Sequence, residues 1–172
     1  MTRRRVLLLG LGLTATALAS GGALLGLRGS APRVAGLRIL GDAEYRTLAA
    51  VARAHLPPGG AITPGADELD LARAFDGYLA DEPPDVQREA KQALALFEFG
   101  PLLFDRRLAT FSNLSRAEQL EEWESWLSSD SLIRRQIAGS LKRFLSLVYY
   151  DHRAVWPAIG YPGPSFSTRS HR

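Results

Sequence analysis

The chain has 172 residues, with 21 Lys and Arg against 18 Asp and Glu, 46% hydrophobic side chains and no cysteine. This length suits one domain that buries most of its unfolded surface without cross-links. A cysteine-free chain has no disulfides, thiolate metal sites, covalently attached c-type haem or cysteine nucleophile.

The pI near 9.6 reflects the N-terminus, where residues 1–41 hold Arg3, Arg4, Arg5, Arg28, Arg33 and Arg38 and no acid. Removing residues 1–28 takes four of the 21 basic side chains and leaves 17 against 18 acidic ones, a body close to neutral. A nucleic-acid surface needs concentrated positive charge. No run of basic residues follows the leader, so nucleic acid is not an expected partner.

Thr2-Arg3-Arg4-Arg5-Val6-Leu7-Leu8 resembles the twin-arginine export motif, with Arg3 and Arg4 as the export signal. It departs from the pattern at Val6, where phenylalanine is commoner, and at Leu8, where lysine often stands. Residues 6–27 are apolar but diluted by Gly10, Gly12, Thr14, Thr16, Ser20, Gly21, Gly22 and Gly26. A charged start followed by an apolar run reads as a signal segment rather than part of the fold. Ala17-Leu18-Ala19 offers a small-x-small cleavage site. Left uncut, the run would rise about 33 Å as a helix, enough to anchor the chain in a bilayer. The expected location is periplasmic, free or on the periplasmic face of the inner membrane, after passage through the twin-arginine translocase.

Residues 29–41, with Gly29, Pro32, Gly36 and Gly41, read as a loosely ordered linker. Asp42 is the expected N-cap of a helix to about residue 55, with Tyr45, Leu48, Val51, Ala52 and Leu56 on one side. Leu56-Pro57-Pro58-Gly59-Gly60 ends it. Pro64-Gly65 marks a turn, and Leu71, Phe75, Tyr78 and Leu79 give a second helix at i, i+4, i+7 and i+8. Pro83-Pro84 stops it, and a third helix is expected over 85–99 with Val86, Ala90, Ala93, Leu94 and Phe97 on one stripe. Gly100-Pro101 is then expected to restart the chain as a short further helix.

Ser115-Arg116-Ala117-Glu118 is a capping box. The helix it opens is expected to turn Leu120, Trp123 and Leu127 inward, with Trp126 on the flank and Glu118, Glu121, Glu122 and Glu124 on a solvated face. Residues 131–150 give the strongest helical pattern, with Ile133, Ile137, Leu141, Phe144, Leu145 and Val148, and read as the central strut. The predicted fold is all-α: a compact bundle of five or six helices over 42–164, preceded by the signal or anchor helix and the linker, and followed by a frayed tail at 165–172.

The strut delivers the chain into Trp156-Pro157-Ala158-Ile159-Gly160-Tyr161-Pro162-Gly163-Pro164. Three prolines and two glycines exclude a helix and most strands, while Trp156, Ile159 and Tyr161 gain by leaving water. A loop both stiff and apolar must lie against something. It either clasps its own helices or docks on another protein, where rigid aromatics make good anchors.

This loop, following Val148-Tyr149-Tyr150-Asp151-His152, resembles the C-terminal signature of the gluconate 2-dehydrogenase subunit 3 family. The likeness extends from the leader through Leu56-Pro57 and Pro64-Gly65-Ala66 to Pro164. The resemblance implies a helical, non-catalytic small subunit that carries a large FAD-dependent dehydrogenase of the glucose-methanol-choline class across the membrane. FAD would then sit in that partner and not in this chain, with a cytochrome c subunit as a further partner and electron acceptor. The candidate partner-binding residues are Trp156, Pro157, Ile159, Gly160, Tyr161, Pro162, Gly163 and Pro164. The alternative is an independent exported or membrane-anchored helical binding module.

Reactive groups are few. His55, His152 and His171 are the histidines. His55, near a helix C-terminus, reads as a partly charged structural imidazole. Asp151-His152 could be half of a hydrolase dyad, yet chain neighbours do not normally orient one another and no Gly-x-Ser-x-Gly elbow is present. His152 reads instead as a helix terminator or partner contact. Asp67, Glu68 and Asp70, then Asp81, Glu82 and Asp85, suit helix ends rather than a metal site. No Gly-x-Gly-x-x-Gly dinucleotide fingerprint follows a strand.

Overall fold

A computed structural model describes residues 32–60 and 62–164. The expected leader with Arg3 and Arg4, the start of the linker and the tail at 165–172 lie outside the described residues. Within them the chain is all-helical and forms a compact bundle of five α-helices: α1 Asp42–His55, α2 Leu71–Ala80, α3 Pro84–Phe104, α4 Arg116–Leu127 and α5 Leu132–Asp151. Two 3-10 turns, Phe111–Asn113 and Trp156–Ile159, complete the order.

The central element is α1, not α5. It packs against α2, α3 and α4, whereas α5 lies mainly on α4 and α2. The cause is composition: α1 buries Leu48, Ala50, Val51 and Ala52, small enough for three helices to approach. On α5 the buried stripe is Ile137, Ala138, Leu141, Leu145, Val148 and Tyr149, and its other face is open. Ile133, expected inside, is 41% exposed.

The N-cap of α1 is Gly41 rather than Asp42. Glu44 Oε2 accepts the Gly41 N–H at 2.7 Å, which frees the Asp42 carboxylate to accept the Val34 N–H at 2.8 Å. The described part of the expected loose linker is therefore tied down. Asp76 of α2 holds it further, accepting the backbone N–H groups of Arg38, Ile39 and Leu40 at 2.6, 2.9 and 2.7 Å.

α3 runs unbroken through Gly100-Pro101, where a restart was expected. Proline removes one hydrogen bond from a helix interior, but the site is fixed from outside. The indole of Trp126 lies so close that a Cβ on Gly100 would stand 2.4 Å from its Cζ2. Beyond Phe104, the N–H groups of Asp105 and Arg107 both bond the Pro101 carbonyl, at 3.2 and 2.9 Å, and close the helix.

The capping box on α4 forms as expected, Ser115 Oγ accepting the Glu118 N–H and Glu118 Oε2 accepting the Ser115 N–H. The register of its buried face differs. Gln119, Glu122, Trp123 and Trp126 are buried, while Leu120 is 43% exposed. Trp126 is fully buried between Phe97, at 4.3 Å between centroids, and Phe104, at 5.9 Å. Indole burial outweighs that of a leucine, so the two tryptophans set the rotation of the helix.

Candidate functional site

The C-terminal loop grows directly out of α5. His152 closes that helix, its N–H bonding the Tyr149 carbonyl at 3.1 Å and its Nδ1 accepting the Ala154 N–H at 3.2 Å. Asp151 accepts the Tyr78 hydroxyl. The two members of the suspected dyad are thus engaged with different neighbours and not with each other. Val155 then enters the core with no exposed surface and pins the start of the loop.

From Val155 the chain makes one 3-10 turn, Trp156–Ile159, where no helical structure was expected. Pro157 occupies an early position of the turn, where its missing N–H costs nothing. Gly160, at φ 67°, ends it. The N–H of Gly160 bonds the Pro157 carbonyl at 3.2 Å, and that of Tyr161 bonds the Trp156 carbonyl at 2.9 Å.

Trp156 is the hub. Its Nε1–H donates to the Tyr150 carbonyl at 3.1 Å, tying the loop to the last turn of α5. The Tyr161 ring stands edge-on to the indole at 5.2 Å and 82°. Gly163, at φ 96°, runs against the six-membered ring of the indole, where an added Cβ would lie 3.2 Å from Cζ3. The Arg153 guanidinium lies 5.9 Å from the ring centroid.

The loop packs on itself around Trp156 and meets the bundle chiefly through Val155 and the bond to Tyr150. Trp156 and Gly163 are half-buried, and Pro157, Gly160, Pro162 and Pro164 are exposed. Ile159 and Tyr161 stay 42% and 44% exposed, and on the last turns of α5 Tyr150 and Leu147 are 49% and 52% exposed. An ordered loop that keeps its apolar side chains in water has the form of an anchor for a second surface.

His55 and the acids at 67–70 have structural partners. His55 Nε2 lies 3.0 Å from Ser146 Oγ, and its ring 5.5 Å from Trp123. Burial, with a smaller push from Lys142, lowers its pKa, so the partly charged imidazole expected there is disfavoured. Asp70 caps α2, accepting the Arg73 N–H and the Tyr45 hydroxyl. Asp67 pairs with Arg53 at 2.5 Å, and Glu68 Oε2 accepts the Gly65 N–H at 3.0 Å.

Three buried carboxylates escape a reading of the sequence. Glu98 on α3 accepts the Thr47 hydroxyl and both the N–H and hydroxyl of Ser112, at 2.9, 3.0 and 2.7 Å. Asp76 would be raised by its burial, yet the three backbone N–H groups it accepts hold its pKa below the usual carboxylate value. Glu122, expected on a solvated face, is 2% exposed and accepts the Trp126 Nε1–H at 2.8 Å. Burial raises its pKa, the neighbouring Asp105 adds to the rise, and Arg134 at 3.7 Å opposes it. Each stands on its helix's apolar stripe, beside Phe97, Phe75 and Trp123 respectively. That placement, a charge inside a buried register, is the signal that marks them. Among the described residues no group of three or more His, Asp or Glu is placed to hold a metal ion.

Protein-family models, curated proteins and solved structures gave no match to the chain.

Proposed function

We propose that this chain is a non-catalytic small subunit of an exported FAD-dependent dehydrogenase complex, and that residues 156–164 are its anchor on the flavoprotein. The observation that carries this reading is the state of that loop. Trp156 stiffens it from within, and Ile159 and Tyr161 are held outward rather than folded onto the helices. Binding through a pre-ordered loop avoids the ordering entropy that a flexible one would lose. The resemblance of the same residues to a small-subunit signature, and of the leader to a twin-arginine signal, supports the partner's class and the route.

In this reading the bundle supplies rigidity and the leader supplies transport. His152 closes α5 and Asp151 ties it to Tyr78 of α2, and the buried carboxylates Glu98, Asp76 and Glu122 lock helices and the preceding segment together. The oxidation of a CH–OH group belongs to the partner, as does FAD. The test is co-expression with an FAD-dependent dehydrogenase of the glucose-methanol-choline class from the producing organism. The expected result is that the flavoprotein is exported and holds flavin only when this chain is present. Normal folding, export and acceptor reduction by the flavoprotein alone would overturn the reading.

A further inference from the structure

Charge is divided unevenly along this chain. Residues 29–130 carry 10 basic and 17 acidic side chains, whereas residues 131–164 carry 5 basic and 1 acidic. Three of these five, Arg135, Lys142 and Arg143, stand exposed on α5. Between Asp130 and Asp151 the helix has Arg134, Arg135, Lys142 and Arg143 and no acid at all. Arg134 turns inward to Asp105 and Glu122, at 3.3 and 3.7 Å. The other three are exposed, and Arg135 and Arg143 bond only the Ser129 carbonyl and the Ser140 hydroxyl.

The open face also has apolar ends. Leu132, Gln136, Gly139, Arg143, Leu147 and Tyr150 recur every three or four residues and form one stripe about 27 Å long. Leu132 is 60% exposed at its start, and Leu147 and Tyr150 are 52% and 49% exposed at its end. Gly139 and Ser140 lie in the middle, where short side chains let another backbone come near. The stripe runs into the C-terminal loop, because Tyr150 is the residue whose carbonyl holds Trp156.

We infer that the outer face of α5 is the second half of the docking surface, and that it takes an acidic surface of the flavoprotein flanked by apolar side chains. The inference rests on the function proposed above and adds the chemistry of the partner's surface. Complementary charge favours this occupant. A symmetric contact with a second copy through this face would set its three exposed cations against three more. Three cations flanked by Leu132, Leu147 and Tyr150 are too few to follow a nucleic-acid backbone, where about 6–10 phosphate contacts are common. The charges steer and orient association, while the apolar ends and the loop supply its area.

Photo-crosslinking in cells of the producing organism tests this, with p-benzoylphenylalanine placed in the full chain at Gln136 on the stripe, Ile159 in the loop or Asp85 on α3 as control. The expected result is that Gln136 and Ile159 link to the same flavoprotein, the Gln136 link falling within a peptide of net negative charge. Arg135→Glu, Lys142→Glu and Arg143→Glu together should cut the Gln136 yield about tenfold without altering the melting temperature of the purified chain, since all three side chains are exposed. A link at Ile159 but not Gln136 overturns the α5 face and leaves the loop reading intact. A Gln136 link to another copy of this chain or to lipid, to a neutral or basic peptide, or one insensitive to charge reversal, overturns it as well. No link to a flavoprotein from either site overturns both.

Discussion

Gly100 lies beneath the indole of Trp126, so close that the added methyl of an alanine would reach 2.4 Å from Cζ2. That contact explains two features together. α3 stays helical across Gly100-Pro101 because the glycine is needed for the approach of α4, and Trp126 is buried because the glycine leaves it room. We expect Gly100→Ala to destabilise the chain by about 1–3 kcal/mol through overpacking, measured by urea unfolding. A variant as stable as the parent would show that the indole is not confined there.

Asp76 joins the segment before α1 to α2 through three backbone N–H groups. In Asp76→Asn the amide nitrogen would face one of those donors, and the expected cost is about 3 kcal/mol at neutral pH. The folded pKa of Asp76 is depressed, so its contribution is present above the ordinary value of 3.8 and lost as pH falls through the folded value. The gap between parent and variant should therefore close in acid. An equal gap at pH 7 and pH 2.5 would contradict this account.

Glu122 behaves in the opposite sense. Its folded pKa is raised above 4.5, so its favourable contribution is present below that value and is lost as pH rises through the folded one. Glu122→Gln keeps an acceptor for the Trp126 Nε1–H without the charge. Relative to the parent, the variant should gain stability between pH 4 and pH 7 in thermal unfolding. A difference that does not change with pH would show that Glu122 is not strained by its burial.

Trp156 is the half-buried tryptophan, whereas Trp123 and Trp126 are 3% and 0% exposed. Acrylamide should quench essentially one of the three indoles, and Trp156→Phe should remove the quenchable component. Gly163→Ala, with its positive φ and its contact on the Trp156 ring, should loosen the loop and increase quenching. Unchanged quenching in both variants would contradict the packing of the loop around Trp156.

What could be read from the sequence follows from where side-chain identity alone determines an outcome. The capping box Ser115–Glu118 and the apolar spacing of Leu71, Phe75 and Leu79 are local signals, and their helices lie where expected. Gly100-Pro101 misleads because its helical state depends on Trp126, a residue remote in sequence. The rotation of α4 misleads similarly: Leu120 and Trp126 compete for the inside, and the choice rests on the space left by Phe97 and Gly100. Asp76, Glu98 and Glu122 are hidden because their partners are backbone groups or lie on other elements, or, for Glu122, because its partner Trp126 was expected on the flank. In the loop, the turn residues and aromatics were legible. That Trp156 would serve as an internal hub while Ile159 and Tyr161 face outward was not, because it rests on the bond to Tyr150 and the approach of Gly163.

The most direct test is to purify the chain from its producing organism, as the parent and with Trp156→Ala and Tyr161→Ala combined, and to record flavin absorbance in what copurifies. The account predicts a flavin-bearing large subunit with the parent chain. With the double variant it predicts association weakened by about 2 kcal/mol or more, and so a preparation depleted in flavin. A parent chain that binds FAD or oxidises an alcohol substrate by itself would contradict the account, as would one whose flavoprotein is retained equally by the double variant.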